Sequence, residues 1–210
     1  MNARFQPGDH LHVRRPLGYS HHGIYIADDR VIQFGSGITL LDKSRTAVGA
    51  VSLAEFEDGG TATVVHHGYE SLLDTGYHPP ADKPWKIIER AEFMLKLQPR
   101  LRYNLIGHNC EHSANLCVSR YWGESYQVRR FFRNRAIVTG AFMMWLSARS
   151  RRSLPVPGWV ASVAVASALL TMITIGMYNE QIRKFWQEIG PEWRELERRL
   201  DQDPRNGLQS

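Results

Sequence analysis

Cysteine is scarce in this chain of 210 residues: there are two, Cys110 and Cys117. They sit seven positions apart in what reads as one helix. At about 1.5 Å rise per residue their Cα atoms are roughly 10 Å apart. A disulfide needs less than about 7 Å. A disulfide framework is therefore excluded, and two free thiols are expected, as in a reducing compartment. Met1 to His10 lacks an apolar run, so no signal peptide is expected. Internal repeats and low-complexity tracts are absent too. Charge is missing over one long stretch, with no Asp, Glu, Lys or Arg from Ser153 to Asn179.

What is present is ordinary for a globular domain with appendages. Hydrophobic residues make up 43% of the chain, which argues against wholesale disorder. The formal net charge of +5 suits a negatively charged partner, nucleic acid or anionic lipid. The position of the arginines decides between them. Arg129, Arg130, Arg133 and Arg135 precede the apolar run Ala136 to Leu146, and Arg149, Arg151 and Arg152 follow it. Arginines bordering apolar segments fit lipid head groups; nucleic-acid binding is not expected.

Trp159 to Tyr178 spans about twenty residues of mostly Val, Ala, Leu, Ile and Met. That length matches the hydrocarbon core of a bilayer, roughly 30 Å, and an aromatic residue stands at each end. A buried core helix is the plainer alternative. The expected organisation is a domain over 5–128, a basic and apolar juxtamembrane linker over 129–157, a transmembrane helix over 158–178, and an amphipathic tail over 179–210. Basic residues are denser before the span, which predicts a single-pass membrane protein with its domain facing the cytoplasm. In the tail, Ile182, Phe185, Trp186, Ile189, Trp193, Leu196 and Leu200 keep helical spacing. Pro191 is expected to interrupt it. The tail is expected at the far membrane interface or against a partner helix.

The first half reads as β-rich. His10 to Val13 alternates, Gly23 to Ala27 is a short apolar run, and Asp28-Asp29 turns the chain into Arg30 to Phe34. This predicts a hairpin without the usual turn glycine. Ile38 to Leu41 is a further candidate strand. Ser52-Leu53-Ala54-Glu55 has the form of a capping box, with Gly59-Gly60 ending a short helix. Thr61 to His66 reads as a strand. Asp82 is a candidate cap for a helix with Pro84 in its first turn, reaching about Leu97. A further helix is predicted from Asn109 to about Tyr121, closed by Gly123.

The chemistry concentrates at Asn109-Cys110-Glu111-His112. A cysteine in the first turn of a helix meets unsatisfied N–H groups and the positive end of the dipole. Both favour thiolate, and the same N–H groups suit a developing oxyanion. A buried structural thiol is the alternative. A thiol nucleophile also requires a base. Of nine histidines, His21 and His22 immediately precede the strand from Gly23. Alternation sets His21 with Gly23 on one face and His22 with Ile24 on the other. Gln33 interrupts the apolar run of the partner strand, and orienting an imidazole would give its amide a partner.

These residues resemble the lecithin retinol acyltransferase family, which includes small thiol phospholipase A/acyltransferases. The matching pieces are Pro7-Gly8-Asp9, Tyr19 to Ile26, Arg30 to Gln33, Asn109 to His112 and Ser125 to Val128. The resemblance implies an α+β fold, a permuted papain-like (NlpC-type) antiparallel sheet with a packed cysteine helix. It implies Cys110 as nucleophile, His21 as general base and acid, and Tyr19 as support for the oxyanion. Many members carry a second histidine where Gln33 stands; here the amide would orient His21 without carrying charge. The implied reaction moves a fatty acyl group from a glycerophospholipid through a Cys110 thioester to water, an amine or an alcohol, with no cofactor. The rival readings are a cysteine peptidase or amidase on a related fold and a catalytically silent membrane scaffold. A metal at His108, Cys110 and His112 is weaker still, since the spacing is not a usual zinc pattern.

Overall fold

The computed structural model describes residues 4–15, 20–35, 48–68, 79–98, 100–101, 109–120, 134, 139–142, 144–145, 148–149 and 158–207. Tyr19, the candidate strand 38–41, His108, the closing Gly123 and the segment 125–128 lie outside these residues.

Five antiparallel strands form one sheet in the order β4-β3-β2-β1-β5. They are β1 His10–Arg14, β2 Ser20–Ala27, β3 Arg30–Phe34, β4 Val48–Ser52 and β5 Ala62–Val64. The β2–β3 hairpin turns at Asp28 and Asp29, both at positive φ, 48° and 65°. That is the mirror-image turn whose twist suits a hairpin. Aspartate tolerates the left-handed region better than most residues, which explains a tight turn without glycine. Ser52 caps α1, Leu53–Glu57, by accepting from Glu55 N. Chain direction reverses at Asp58, whose φ is 42°.

Helices cover the sheet unequally. One face carries Ile24, Ile26, Ile32, Phe34 and Val48 against α2 (Pro84–Lys96), α3 (Cys110–Ser119) and a long C-terminal helix, α4 (Gly158–Gln202). The other face packs Leu11, Val13, Val31 and Ala62 around Phe56 of α1. Gly23 lies where this second layer approaches the strand. A Cβ there would stand 2.8 Å from Val31 Cγ1, 2.9 Å from Phe56 Cε2 and 3.0 Å from Ile32 O. Overpacking of this kind costs about 1–3 kcal/mol. Gly23→Ala is thus expected to lower the denaturant midpoint with an unchanged slope; an unchanged midpoint would refute the close approach.

Three sequence expectations are corrected. Asp82 does not cap α2, whose N-cap is Lys83 without a side-chain bond. The Asp82 carboxylate instead accepts from Arg90 Nη2 at 2.7 Å. Helix α3 ends at Arg120, at φ 60°, ahead of the expected closure. Pro191 does not interrupt the tail, because it lies inside α4.

Helix α4 runs through Tyr178 without a break. The apolar stripe of its C-terminal half, Phe185, Ile189, Trp193, Leu196 and Leu200, is buried in the same core as α2 and α3. It therefore does not lie at a far membrane interface. Ion pairs secure the contact, Arg90 to Glu197 at 2.7 Å and Lys86 to Asp201 at 3.0 Å. Among the described residues no helix is long and apolar enough to cross a membrane.

Candidate active site

Asn109 ends extended backbone and begins α3. Its side-chain oxygen accepts from the N–H groups of Glu111 and His112, and His112 Nδ1 reaches back to Asn109 N. This reciprocal cap satisfies first-turn donors and fixes the helix start. Cys110 is the first helical residue, and it is 3% exposed. Its Sγ donates to the carbonyl oxygen of Ser20 at 3.7 Å, at the beginning of β2.

Burial pushes the Cys110 thiol up to about 12. The N–H groups of His22, Glu111 and Cys110 pull the other way, and the neighbouring Glu111 carboxylate adds to the rise. Local helix-terminus chemistry predicted a thiolate. Desolvation outweighs it, so the resting group is a thiol and attack requires a base to take its proton as the bond forms. Cys117 is likewise pushed up to about 12 by burial; its carbonyl accepts from Arg90 Nη1, a structural role.

The structure brings His21 and Gln33 together. His21 Nε2 and Gln33 Oε1 are 2.7 Å apart. An amide oxygen can only accept, so Nε2 carries the hydrogen and Nδ1 holds the basic lone pair. Burial lowers the His21 pKa below 6.5; the Gln33 bond opposes this and Arg15 reinforces it. The ring also packs 5.2 Å from Phe56, on the α1 side of the sheet.

His22 belongs to the α3 side, as alternation predicted, and both its ring nitrogens are engaged. Nδ1 is 2.9 Å from His10 Nε2, and Nε2 is 2.8 Å from Ser20 Oγ. His10 Nδ1 continues to His67 Nε2 at 2.9 Å. Burial pushes His22 well below 6.5, helped by repulsion from His12, His21 and His67. This chain of rings was missed in the sequence reading. His10, His12 and His22 were visible, but strand pairing aligns His12 with His22 and only the fold adds His67.

Cys110 thus meets β2 at the backbone of Ser20 and His22, the two residues that flank His21 in the strand. No hydrogen bond joins its sulfur to either ring in this resting arrangement. Of the two, His21 alone has a ring nitrogen that makes no hydrogen bond among the described residues. His112, a candidate metal ligand, is held in the cap of α3. Among the described residues no group of three or more His, Cys, Asp or Glu could hold a metal ion.

The family model for lecithin retinol acyltransferase matches residues 3–121. That stretch contains the whole sheet, α2, α3 and every site residue above. No curated protein matches the chain.

Proposed function

We propose that this chain, which belongs to the lecithin retinol acyltransferase family, is itself a thiol acyltransferase or phospholipase A-type enzyme acting on glycerophospholipid. The observation that carries this reading is Cys110 in the capped first turn of α3, its sulfur against the start of the strand that presents the His21–Gln33 pair.

In this reading Cys110 attacks the acyl carbonyl while its proton passes to His21 Nδ1. Charge on the tetrahedral oxygen is met by the Cys110 N–H, the first-turn donor that the Asn109 side chain does not take, with Tyr19 as a further donor. Collapse expels the lysophospholipid oxygen, which takes the proton back from His21, and leaves a thioester. Water, an amine or an alcohol then accepts the acyl group and regenerates the thiol. Gln33 holds the imidazole tautomer, as a side-chain amide or carboxylate does in other triads. The substrate reading gains support from Leu170, Met172, Ile173, Ile175 and Met177 of α4, all exposed, which suit lipid contact on the cytoplasmic side.

Intact mass after incubation with phosphatidylcholine vesicles tests the proposal. The expected result is an added acyl mass on Cys110, lost in hydroxylamine. Turnover of a peptide or peptidoglycan-stem substrate with no acyl adduct would select the peptidase reading instead.

His22 is the second candidate base because it lies on the sulfur's side of the sheet. The two are separable. His21→Ala is expected to lower kcat by roughly a hundredfold to ten-thousandfold, the usual contribution of a general base. His22→Ala, with its effect transmitted through Ser20, is expected to cost under about tenfold. The reverse order of losses would reassign the base to His22.

A further inference from the structure

Tyr178 marks where the charge-free segment of α4 meets the globular part. Toward the N-terminus, Leu170, Met172, Ile173, Ile175 and Met177 are exposed. At 100° per residue these five spread over about 220° of the helix circumference, and the remaining sector holds the buried Thr174 with the half-buried Thr171 and Tyr178. A protein partner covers a stripe of roughly 100° on a helix, whereas an apolar surface this broad is suited by hydrocarbon. Toward the C-terminus charges begin at once with Glu180, Arg183 and Lys184, and the buried stripe from Phe185 to Leu200 joins the core. The Tyr178 ring lies 6.2 Å from that of His112, the residue that closes the cap beside Cys110. The apolar boundary of α4 is therefore level with the first turn of the cysteine helix.

We propose that α4 is a one-sided post: its apolar part lodges in a phospholipid bilayer, its C-terminal half stays with the domain on the same side, and its rigid continuity holds Cys110 at the depth of the bilayer surface. This rests on the membrane part of the proposed function. A single crossing that separates residues 5–128 from residues 179–210 is incompatible with the pairs Arg90–Glu197 and Lys86–Asp201. Continuity matters as well. A helix turn adds about 5.4 Å, so an intact α4 fixes the height of the site to within a turn, and a flexible tether would not.

The full chain is bound to phosphatidylcholine/phosphatidylserine vesicles, and flotation tests the membrane reading by itself. Three single reporters are then placed on exposed positions, Glu55→Cys, Asn179→Cys and Gln202→Cys. A membrane-impermeant maleimide added outside is expected to label Glu55→Cys and Gln202→Cys to within twofold of each other. Labelling of one with protection of the other until detergent is added would overturn the proposal. A fluorophore on Asn179→Cys is expected to be quenched at least threefold more by headgroup-level than by mid-chain spin-labelled lipids. Quenching by neither would place the site away from the surface and overturn the height assignment. Absence of flotation, with a dimer in solution, would sink the membrane reading and give the apolar surface to a second copy.

Discussion

Replacing the sulfur of Cys110 by oxygen, Cys110→Ser, is expected to reduce acyl turnover by on the order of a thousandfold or more and to abolish the acyl-enzyme mass. The size follows from the site. Removing the nucleophile of a concerted set costs about as much as removing the whole set. Serine fits the same volume, so fold and lipid binding are expected to remain. The pH profile tests the mechanism behind the loss. Burial holds the thiol well above its ordinary range, so the protonated form dominates at neutral pH and attack needs a base. Wild-type kcat/KM is therefore expected to follow neutral His21, rising as pH climbs through a value below 6.5 and then holding level. Fatty acid release by Cys110→Ser at the wild-type rate would exclude the thioester route. Iodoacetamide alkylation governed by a thiol titrating below pH 7 would overturn the base-dependent attack.

The largest effect on stability is expected at Arg90. Its guanidinium is wholly enclosed and donates in four directions, to Glu197 Oε1 at 2.7 Å, Glu197 Oε2 at 3.1 Å, Asp82 Oδ2 at 2.7 Å and the Cys117 carbonyl at 2.8 Å. It ties α2, α3 and α4 together. Burial by itself would raise the Asp82 carboxyl, but bonds from Arg90 and the Lys83 N–H, with the charges of Arg90 and Arg120, hold it below its usual value. Arg90→Ala leaves two carboxylates and a carbonyl without this partner. Breaking one side of a buried pair costs about 3–5 kcal/mol, a large share of a typical domain's stability. Urea unfolding followed by tryptophan fluorescence, which reads Trp193 of α4, is the measurement. A loss below about 1 kcal/mol would mean that the α4 contact does not depend on the arginine. Arg90→Lys is expected to recover only part, because an ammonium cannot reproduce the fork. The aspartate contribution is present above its ordinary pKa near 3.8 and is lost as pH falls through the lowered folded value.

Local signals carried much of the fold. The β2–β3 hairpin, the Ser52 cap, α2 and the start of α3 were all legible, because each depends on neighbours within four residues. Strand β4 was not. Val48-Gly49-Ala50-Val51-Ser52 has little strand character and gains its place by pairing with β3. At the site, Asn109, Cys110, His21 and Gln33 were identifiable one by one. The thiol's protonation differs from the dipole expectation, since a dipole argument uses the first turn whereas burial comes from elements far away in the chain, β2 and α2 among them. The partner of the amphipathic tail was equally hidden. Spacing announces an apolar stripe, but nothing in α4 itself names the surface that accepts it. Asp82 shows the same limit from the other side, as a plausible cap that tertiary contact recruits for Arg90.

The bonds linking His67, His10, His22 and Ser20 impose a collective constraint. In a row of neutral imidazoles each ring donates from one nitrogen and accepts at the other. The tautomers cannot be set independently: the row points wholly toward Ser20 or wholly toward His67. A change of tautomer at any one ring must reverse every bond of the row. The three rings are therefore ordered as one unit, and a tautomer followed at His67 reports the orientation adopted at His22, beside the strand backbone that touches the nucleophile.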